Sequence, residues 1–130
     1  MIGVHGGSFD PIHFGHINPL LELSELFNFD KIRLIPTYSS PVNKLFYSDI
    51  EHRLNMVSII AASETNIFVA DDIEMKKGGI SYTYETVEII REQERNQDIC
   101  LIMGLDAFLN LENWYNYVEI LKNVRIIVVN

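Results

Sequence analysis

The sequence contains a single cysteine, Cys100, and that scarcity excludes two kinds of small protein. One thiol cannot form an internal disulfide, and it cannot supply the several thiolates of a multi-cysteine zinc site. Cys100 lies in an apolar run, so we predict a core thiol in a buried strand rather than a nucleophile. Such cysteine usage is typical of a reducing compartment, and we expect a cytoplasmic protein.

Basic residues and long apolar runs are also scarce. Ten Lys and Arg oppose 18 Asp and Glu, which gives a formal net charge of −8. A general nucleic-acid binder needs a basic surface, so we expect no nucleic-acid partner, although a local pocket could still hold a small anion. No apolar run approaches the roughly 20 residues that cross a bilayer, and the amino-terminal residues do not resemble a signal peptide. We therefore expect no membrane partner.

The 130 residues alternate between two patterns. Short apolar runs rich in β-branched residues occur at 2–5, 32–36, 67–70, 99–103 and 124–129. Each run suits a strand buried on both faces of a parallel sheet, and segments with helical spacing separate them. This alternation predicts the α/β class, as a doubly wound, Rossmann-like three-layer sandwich with a parallel five-stranded sheet in the order 3-2-1-4-5.

Helix starts can be read from the polar residues that precede the helical segments. Ser48 and Glu51 have the spacing of a capping box, which predicts a second helix that extends to about Ala62. Ser81 or Thr83 could cap a third helix. The first helix follows from an apolar stripe that begins at residue 17, and a shorter helical stretch is predicted near residue 106.

Glycines follow two of the predicted strands. Gly6 and Gly7 come after the first strand, and Gly104 comes after the fourth. In the predicted order these strands are neighbours where the winding direction reverses, which is where open sheets bind ligands. We therefore expect both glycine turns to open onto one crevice.

The segment from Gly6 to His16, GGSFDPIHFGH, holds most of the chemistry in the sequence. Glycines let backbone N–H groups approach a phosphate, and a helix amino terminus favours anions. His13 and His16 are three residues apart where the first helix begins, so both rings can face one ligand. The segment predicts a phosphate site without a lysine-bearing P-loop. Two alternatives stay open: a tight turn at the glycines without any phosphate contact, and a metal half-site at the two histidines.

Three motifs, taken in order, resemble one family. The segment just described resembles the signature of the HxGH nucleotidyltransferase superfamily. Gly79-Ile-Ser-Tyr-Thr83 is similar to the Gly/Pro-Ser-Tyr-Thr segment of bacterial nicotinate-mononucleotide adenylyltransferases, and Ile102-Met-Gly-Leu-Asp106 with Trp114-Tyr115 is similar to their third motif. The resemblance implies that ATP and nicotinate mononucleotide, with Mg²⁺, give nicotinate adenine dinucleotide and pyrophosphate. It further implies that the mononucleotide phosphate attacks ATP directly.

The resemblance also implies roles for residues of the first motif. His13 and His16 would be catalytic and would stabilise the phosphates in the transition state. The substrate crevice would be lined by Gly6, Gly7, Ser8 and Phe9. Asp10 matches the motif too, but we expect it to fix the turn rather than take a proton.

The second motif and the tryptophan would bind the nicotinate end of the substrate. By the resemblance, Thr83 and the backbone around Ser81 and Tyr82 would hold the nicotinate carboxylate, and Trp114 would stack on the pyridine ring. From the residues alone, helix capping by Thr83 and a core position for Trp114 are the alternatives.

Two further positions would contact ATP or the phosphates. Asp106, after Gly104, would accept hydrogen bonds from the adenosine ribose, or would cap a helix, or both. Lys44 lies in a loop similar to a family segment in which a lysine approaches phosphate, although Val42 and Asn43 replace its second proline and its histidine. An isolated loop lysine of this kind could equally be only solvated.

The carboxyl end departs from the family. Asn130 follows the fifth predicted strand, and nothing matches the ISSTxIR-like segment that family members carry later in the chain. We expect one nucleotidyltransferase domain over 1–130, truncated at its carboxyl end, with exposed apolar surface that favours self-association into a homo-oligomer. The alternatives are a related HxGH enzyme with another acceptor and a non-catalytic nucleotide-binding remnant.

Overall fold

A sheet of five parallel strands forms the centre of the molecule in a computed structural model that describes residues 1–42 and 44–130. The strands are β1 (Ile2–Gly7), β2 (Lys31–Pro36), β3 (Phe68–Ala70), β4 (Ile99–Gly104) and β5 (Arg125–Val129). Their spatial order is β3-β2-β1-β4-β5, and every neighbouring pair is parallel. The predicted fold class and strand order are therefore confirmed.

Six α-helices and one 3-10 helix connect the described strands. They are α1 (Phe14–Leu26), α2 (Ile50–Glu64), α3 (Ile73–Lys77), α4 (Thr83–Gln93), α5 (Leu105–Leu109), the 3-10 helix Leu111–Asn113, and α6 (Tyr117–Asn123). The three longest helices were predicted, whereas α3 and α6 are too short to show a clear apolar period. Among the residues that the structure describes, no helix has both the length and the apolar character needed to span a membrane.

Two apolar clusters cover the two faces of the sheet and make three layers. On one face Leu34 packs with Ile17 of α1 and Val57 of α2. On the other face Ile35 packs with Ile90 of α4 and Ile120 of α6. Successive residues of a strand point to opposite faces, so both faces of β2 must be apolar.

Cys100 is fully buried in β4, as predicted for a core thiol. Burial raises the pKa of this thiol to about 11. The reactive thiolate is therefore scarce at neutral pH.

The start of α2 differs from the prediction. Asp49 is the N-cap, and its carboxylate accepts a hydrogen bond from the backbone N–H of His52 at 2.9 Å. The capping box predicted from Ser48 and Glu51 is wrong by one position, because a short aspartate is an equally good cap and lies one residue later.

The starts of α4 and α5 also correct the prediction. Tyr82 is the N-cap of α4 and makes no side-chain capping bond, so neither Ser81 nor Thr83 is the cap. Gly104 is the N-cap of α5, and Asp106 lies inside its first turn. The capping alternative for Asp106 is therefore wrong.

The glycine pair is part of a strand rather than a turn. Gly6 and Gly7 are the last residues of β1, where they pair with Ile35 and Pro36 of β2. Strand β2 continues beyond the apolar residues of β1, and its pairing with β1 therefore extends through the two glycines. The predicted turn at this point is wrong, and the chain leaves the sheet at Ser8.

Candidate functional site

The sheet divides where β1 and β4 stop pairing. Their register ends at Val4 opposite Leu101, whereas the pairing of β1 with β2 continues to Gly7. Beyond the last β1–β4 pair, His5 donates a hydrogen bond from Nδ1 to the carbonyl oxygen of Ile102 at 2.9 Å. A side chain thus replaces the backbone ladder at the carboxyl ends of two central strands, where doubly wound sheets bind ligands.

His13 and His16 cap the amino end of α1 for each other. His13 is the N-cap in an extended conformation, and its Nδ1 accepts the backbone N–H of Gly15 at 3.0 Å. The Nδ1 of His16 accepts the backbone N–H of His13 at 3.1 Å. Because each Nδ1 is an acceptor, the proton of each neutral ring resides on Nε2. The arrangement leaves two Nε2–H donors for a ligand.

The two rings lie close together and are nearly parallel. Their centroids are 3.9 Å apart with the planes 30° from parallel, and the ring of Phe9 meets His16 edge-on at 5.3 Å. The pKa of His16 is lowered to about 4, first by burial and then by the positive charges that His13 and His5 can carry. His16 is therefore neutral at pH 7 and offers a hydrogen-bond donor without a formal charge.

Gly15, between the histidines, is required by close approach. A Cβ atom at this position would lie 2.8 Å from Cε1 and 2.9 Å from Nδ1 of His13. Real Cβ atoms do not come so close, so any larger residue would displace the His13 ring. The glycine of the His-x-Gly-His pattern thus has a steric function.

Phe9 adopts a backbone conformation that is unusual for an aromatic residue. Its φ is 47°, in the left-handed region, and its side chain is fully buried. The centre of its ring lies 5.9 Å from that of His5 and 5.3 Å from that of His16. The ring occupies the space that a Cβ atom on Gly7 would enter. Burial of this large ring offsets the backbone strain and supports the face of His16.

Asp10 joins the first motif to the loop before α2. Its carboxylate accepts backbone N–H bonds from Tyr47 at 2.5 Å and from Ser48 at 3.0 Å. This contact agrees with the expectation that Asp10 fixes a turn.

Lys44 reaches the first motif from that same loop. Its Nζ donates a hydrogen bond to Oγ of Ser8 at 2.9 Å, and its side chain is exposed. Asn43, one of the two departures from the family loop, lies outside the described residues. The structure brings Lys44 to the first motif, and its contact with phosphate stays a prediction.

The second motif lies at the amino end of α4. Ser81 is buried, and its Oγ accepts backbone N–H bonds from Tyr38 and Ser39, each at 3.1 Å. The hydroxyl of Ser81 therefore holds the segment that follows β2. Thr83 is the first residue of α4 and is half-buried, beside backbone N–H groups that the helix leaves unpaired.

Aromatic rings cluster beside this helix start. Trp114 is half-buried against the apolar cluster of its face. The ring of Tyr115 is exposed and lies 4.9 Å from Tyr82 and 5.8 Å from Tyr84, centroid to centroid. The contact of Tyr84 with Tyr115 was not predicted, because no spacing in the sequence relates positions 84 and 115.

The third motif lies at the end of β4. Asp106 is exposed in the first turn of α5, directly after Gly104. The candidates therefore form two groups, the histidine group with Ser8 and Lys44, and the α4 group. Asp106 follows β4, the neighbour of β1.

Two buried polar residues at these groups were not predicted. Arg53 of α2 and Glu74 of α3 are 1% and 7% exposed. Glu74 accepts a hydrogen bond from Thr86 Oγ1 at 2.9 Å, and burial raises the pKa of its carboxyl. Charged residues on helices are normally solvated, so the sequence contains no signal for the burial of these two.

One protein family matches nearly the whole chain. It is described as Cytidylyltransferase-like, and the match covers residues 4–130.

Curated relatives have a common name, "Probable nicotinate-nucleotide adenylyltransferase". The relative from Methylococcus capsulatus is 36% identical over 98% of this chain, and that from Aquifex aeolicus is 37% identical over 97%. The chain spans 61% of the Methylococcus protein and 74% of the Aquifex protein.

A solved structure has the same fold. The crystal structure of a Vibrio parahaemolyticus protein, assigned as a nicotinate-nucleotide adenylyltransferase, matches with a TM-score of 0.81 at 25% identity. The match covers 98% of this chain and 71% of that one.

Proposed function

The chain belongs to the cytidylyltransferase-like family and resembles its nicotinate-nucleotide adenylyltransferases, and we propose that it transfers AMP from ATP to nicotinate mononucleotide. The products would be nicotinate adenine dinucleotide and pyrophosphate, in the synthesis of NAD. The observation that carries the proposal is the reciprocal cap of His13 and His16, which presents two Nε2–H donors at the crevice.

The reaction needs no covalent enzyme intermediate. An oxygen of the mononucleotide 5′-phosphate forms a bond to the α-phosphorus of ATP. The bond from that phosphorus to the oxygen that bridges to the β-phosphate breaks, and pyrophosphate leaves with the electron pair. No proton has to move, so positioning and charge stabilisation account for the catalysis.

The histidine group would stabilise the charge that spreads over the phosphate oxygens. His13 and His16 would donate from Nε2 at fixed positions, because their Nδ1 atoms are held by backbone N–H groups. Lys44 would add a positive charge beside Ser8. The backbone of Gly6 and Gly7 would allow close approach of the phosphates.

The other candidates would recognise the two nucleoside ends. Thr83 and the first N–H groups of α4 would bind the nicotinate carboxylate, with Ser81 and Tyr82 shaping that turn. Trp114 would stack on the pyridine ring, and Asp106 would accept hydrogen bonds from the adenosine ribose.

Mg²⁺ would enter with ATP rather than occupy a protein cage. In residues 1–42 and 44–130, no group of three or more His, Cys, Asp or Glu is placed to hold a metal ion. Mg²⁺ is commonly held by substrate phosphates and water, which suits this donor set. The ion would therefore be part of the substrate, Mg-ATP.

The cytoplasm and self-association are further parts of the proposal. The single buried thiol suits a reducing compartment. Exposed apolar residues such as Leu109 and Leu121, 68% and 47% exposed, would favour contact between copies.

The test is pyrophosphate release by the 130-residue chain. Mg-ATP is supplied with nicotinate mononucleotide, with nicotinamide mononucleotide, or with no acceptor, and CTP with glycerol 3-phosphate is run in parallel. We expect release with nicotinate mononucleotide and its loss in His16→Ala. Release only with CTP would overturn the proposal in favour of another acceptor. Binding of Mg-ATP without any release would favour a non-catalytic nucleotide-binding domain.

A further inference from the structure

Arg53 is a buried cation that is held by backbone oxygens. Its side chain is 1% exposed, and it donates from Nε to the carbonyl of Ser48 at 2.9 Å. Nη1 donates to the carbonyls of Ser8 at 3.0 Å and Thr37 at 2.6 Å. The carboxylates of Asp10 and Asp49 contribute through their charge.

The three carbonyls belong to separate segments that meet at one end of the sheet. Ser8 follows β1, Thr37 follows β2, and Ser48 precedes α2. Removal of a cation from water is costly, and neutral carbonyls offset that cost only when several are well placed. Arginine donates to these oxygens from two separate nitrogens of a planar fork, whereas every N–H bond of a lysine comes from one nitrogen.

Two further sets of contacts hold the loop before α2. The guanidinium carbon of Arg53 lies 3.9 Å from the centre of the Phe46 ring, and Asp10 accepts the N–H groups of Tyr47 and Ser48. A cation over an aromatic face adds attraction, more so when both are shielded from water. The loop that carries Lys44 is thereby attached to the first motif.

Ser8 connects this network to the phosphate side of the crevice. Arg53 binds its carbonyl, while its hydroxyl accepts the hydrogen bond from Lys44. We propose that Arg53 is a positioning residue that holds Ser8 and Lys44 where the phosphates of Mg-ATP bind. This inference rests on the proposed function, because it takes the crevice to be the phosphate site.

The test compares Arg53→Lys with a matched control, Arg33→Lys. Arg33 is also buried, at 7% exposure, and donates to Asp71 at 2.5 Å and to Gln93 at 2.8 Å. It lies in β2, and its partner Gln93 is at the far end of α4 from the crevice. Both changes keep the charge and lose a fork, so both lower stability.

We expect the two variants to differ in kinetics. Arg53→Lys should raise KM for Mg-ATP about tenfold or more, because a phosphate site displaced by about 1 Å loses much of its binding. KM for nicotinate mononucleotide should change less, and Arg33→Lys should leave both values near those of the unmodified chain. Equal KM values for Mg-ATP in the two variants would overturn the inference.

Hydrogen exchange gives a readout that does not depend on activity. In Arg53→Lys the amides of Tyr47 and Ser48 should exchange faster, while amides of β1 and β4 stay as slow as in Arg33→Lys. Unchanged exchange at the loop would overturn the positioning role even if turnover fell. Faster exchange in a chain that neither binds nor converts Mg-ATP would support the positioning role and refute the proposed function.

Phe46→Leu serves if Arg53→Lys does not fold. It keeps an apolar side chain and removes only the ring face over the guanidinium. We expect the same direction of change, with a roughly twofold to fivefold rise in KM for Mg-ATP, as about 0.5–1 kcal/mol of cation–π attraction would give. No rise in KM and no faster exchange would overturn the inference.

Discussion

The backbone N–H of His13 donates to Nδ1 of His16, and the N–H of Gly15 donates back to Nδ1 of His13. The two bonds make a capping box from histidines, a role usually taken by Ser or Thr with Glu. The same bonds direct the Nε2–H of each ring away from the helix. The capping of α1 and the proposed chemistry thus depend on the same two side chains. Substitutions can separate the capping function from the chemical one.

His13→Asn should separate capping from catalysis. Asparagine is a good N-cap, so the free energy of unfolding should stay within about 0.5 kcal/mol of the parent, whereas His13→Ala should lose about 1 kcal/mol. Turnover should fall about 100-fold in both, because neither supplies the Nε2–H donor. Urea unfolding and pyrophosphate release measure the two effects. Full turnover in His13→Asn would contradict the donor role.

Gly15→Ala should lower activity without lowering helix stability. Alanine favours a helix over glycine by about 1 kcal/mol, but its Cβ would overlap the ring of His13. We expect turnover to fall at least about tenfold while the melting temperature changes by only a few degrees. A variant with unchanged turnover would show that the His13 ring can move at no cost.

Stability should depend on the protonation of His16. Its pKa is about 4 in the folded chain against 6.5 for an ordinary histidine, so below pH 6.5 the unfolded chain binds a proton that the folded chain does not. The contribution of His16 to stability is complete above pH 6.5 and decreases as the pH falls towards 4. Urea unfolding at pH 7.5, 6 and 5 should show a steeper loss than in His16→Gln. Parallel curves for the two chains would contradict the low pKa.

Thr83→Ala should affect nicotinate mononucleotide more than ATP. Loss of one hydrogen bond to a carboxylate is worth about 1.5–3 kcal/mol, which corresponds to a KM increase of at least about tenfold. Thr83→Ser keeps the hydroxyl and serves as the matched control, with KM close to that of the parent. Equal losses for both substrates would indicate that Thr83 only stabilises the start of α4.

Ser81→Ala should lower the stability of the fold more than Ser58→Ala does. Its buried hydroxyl accepts the backbone N–H groups of Tyr38 and Ser39, and the loss of these two hydrogen bonds should cost about 1–3 kcal/mol. Ser58→Ala is a suitable control, because Ser58 is exposed and bonds only within its helix. Thermal unfolding of both variants measures the difference in stability. A Ser81→Ala chain as stable as Ser58→Ala would show that the segment after β2 finds other partners.

The strands could be predicted because each is a short apolar run, and the spacing of His13 and His16 already places two rings together. The topology then brings the ends of β1 and β4 to one edge. The reach of Arg53 to the carbonyls of Ser8 and Thr37 and the contact of Ser81 with residue 38 could not be predicted, since these contacts join segments far apart in the chain. The extension of β1 through Gly6 and Gly7 depends on its neighbour β2, and local propensity cannot show such a tertiary effect.

The uncharged state of His16 has a consequence for a protein with a net charge of −8. Attraction between separated charges is screened by salt within about 8 Å at physiological ionic strength, whereas a short hydrogen bond from a neutral ring is not. An acidic surface also repels polyphosphates at long range. Added salt would weaken that repulsion without weakening the imidazole bonds, so nucleotide capture here should tolerate, or even gain from, a rise in ionic strength that would impair an arginine-rich site.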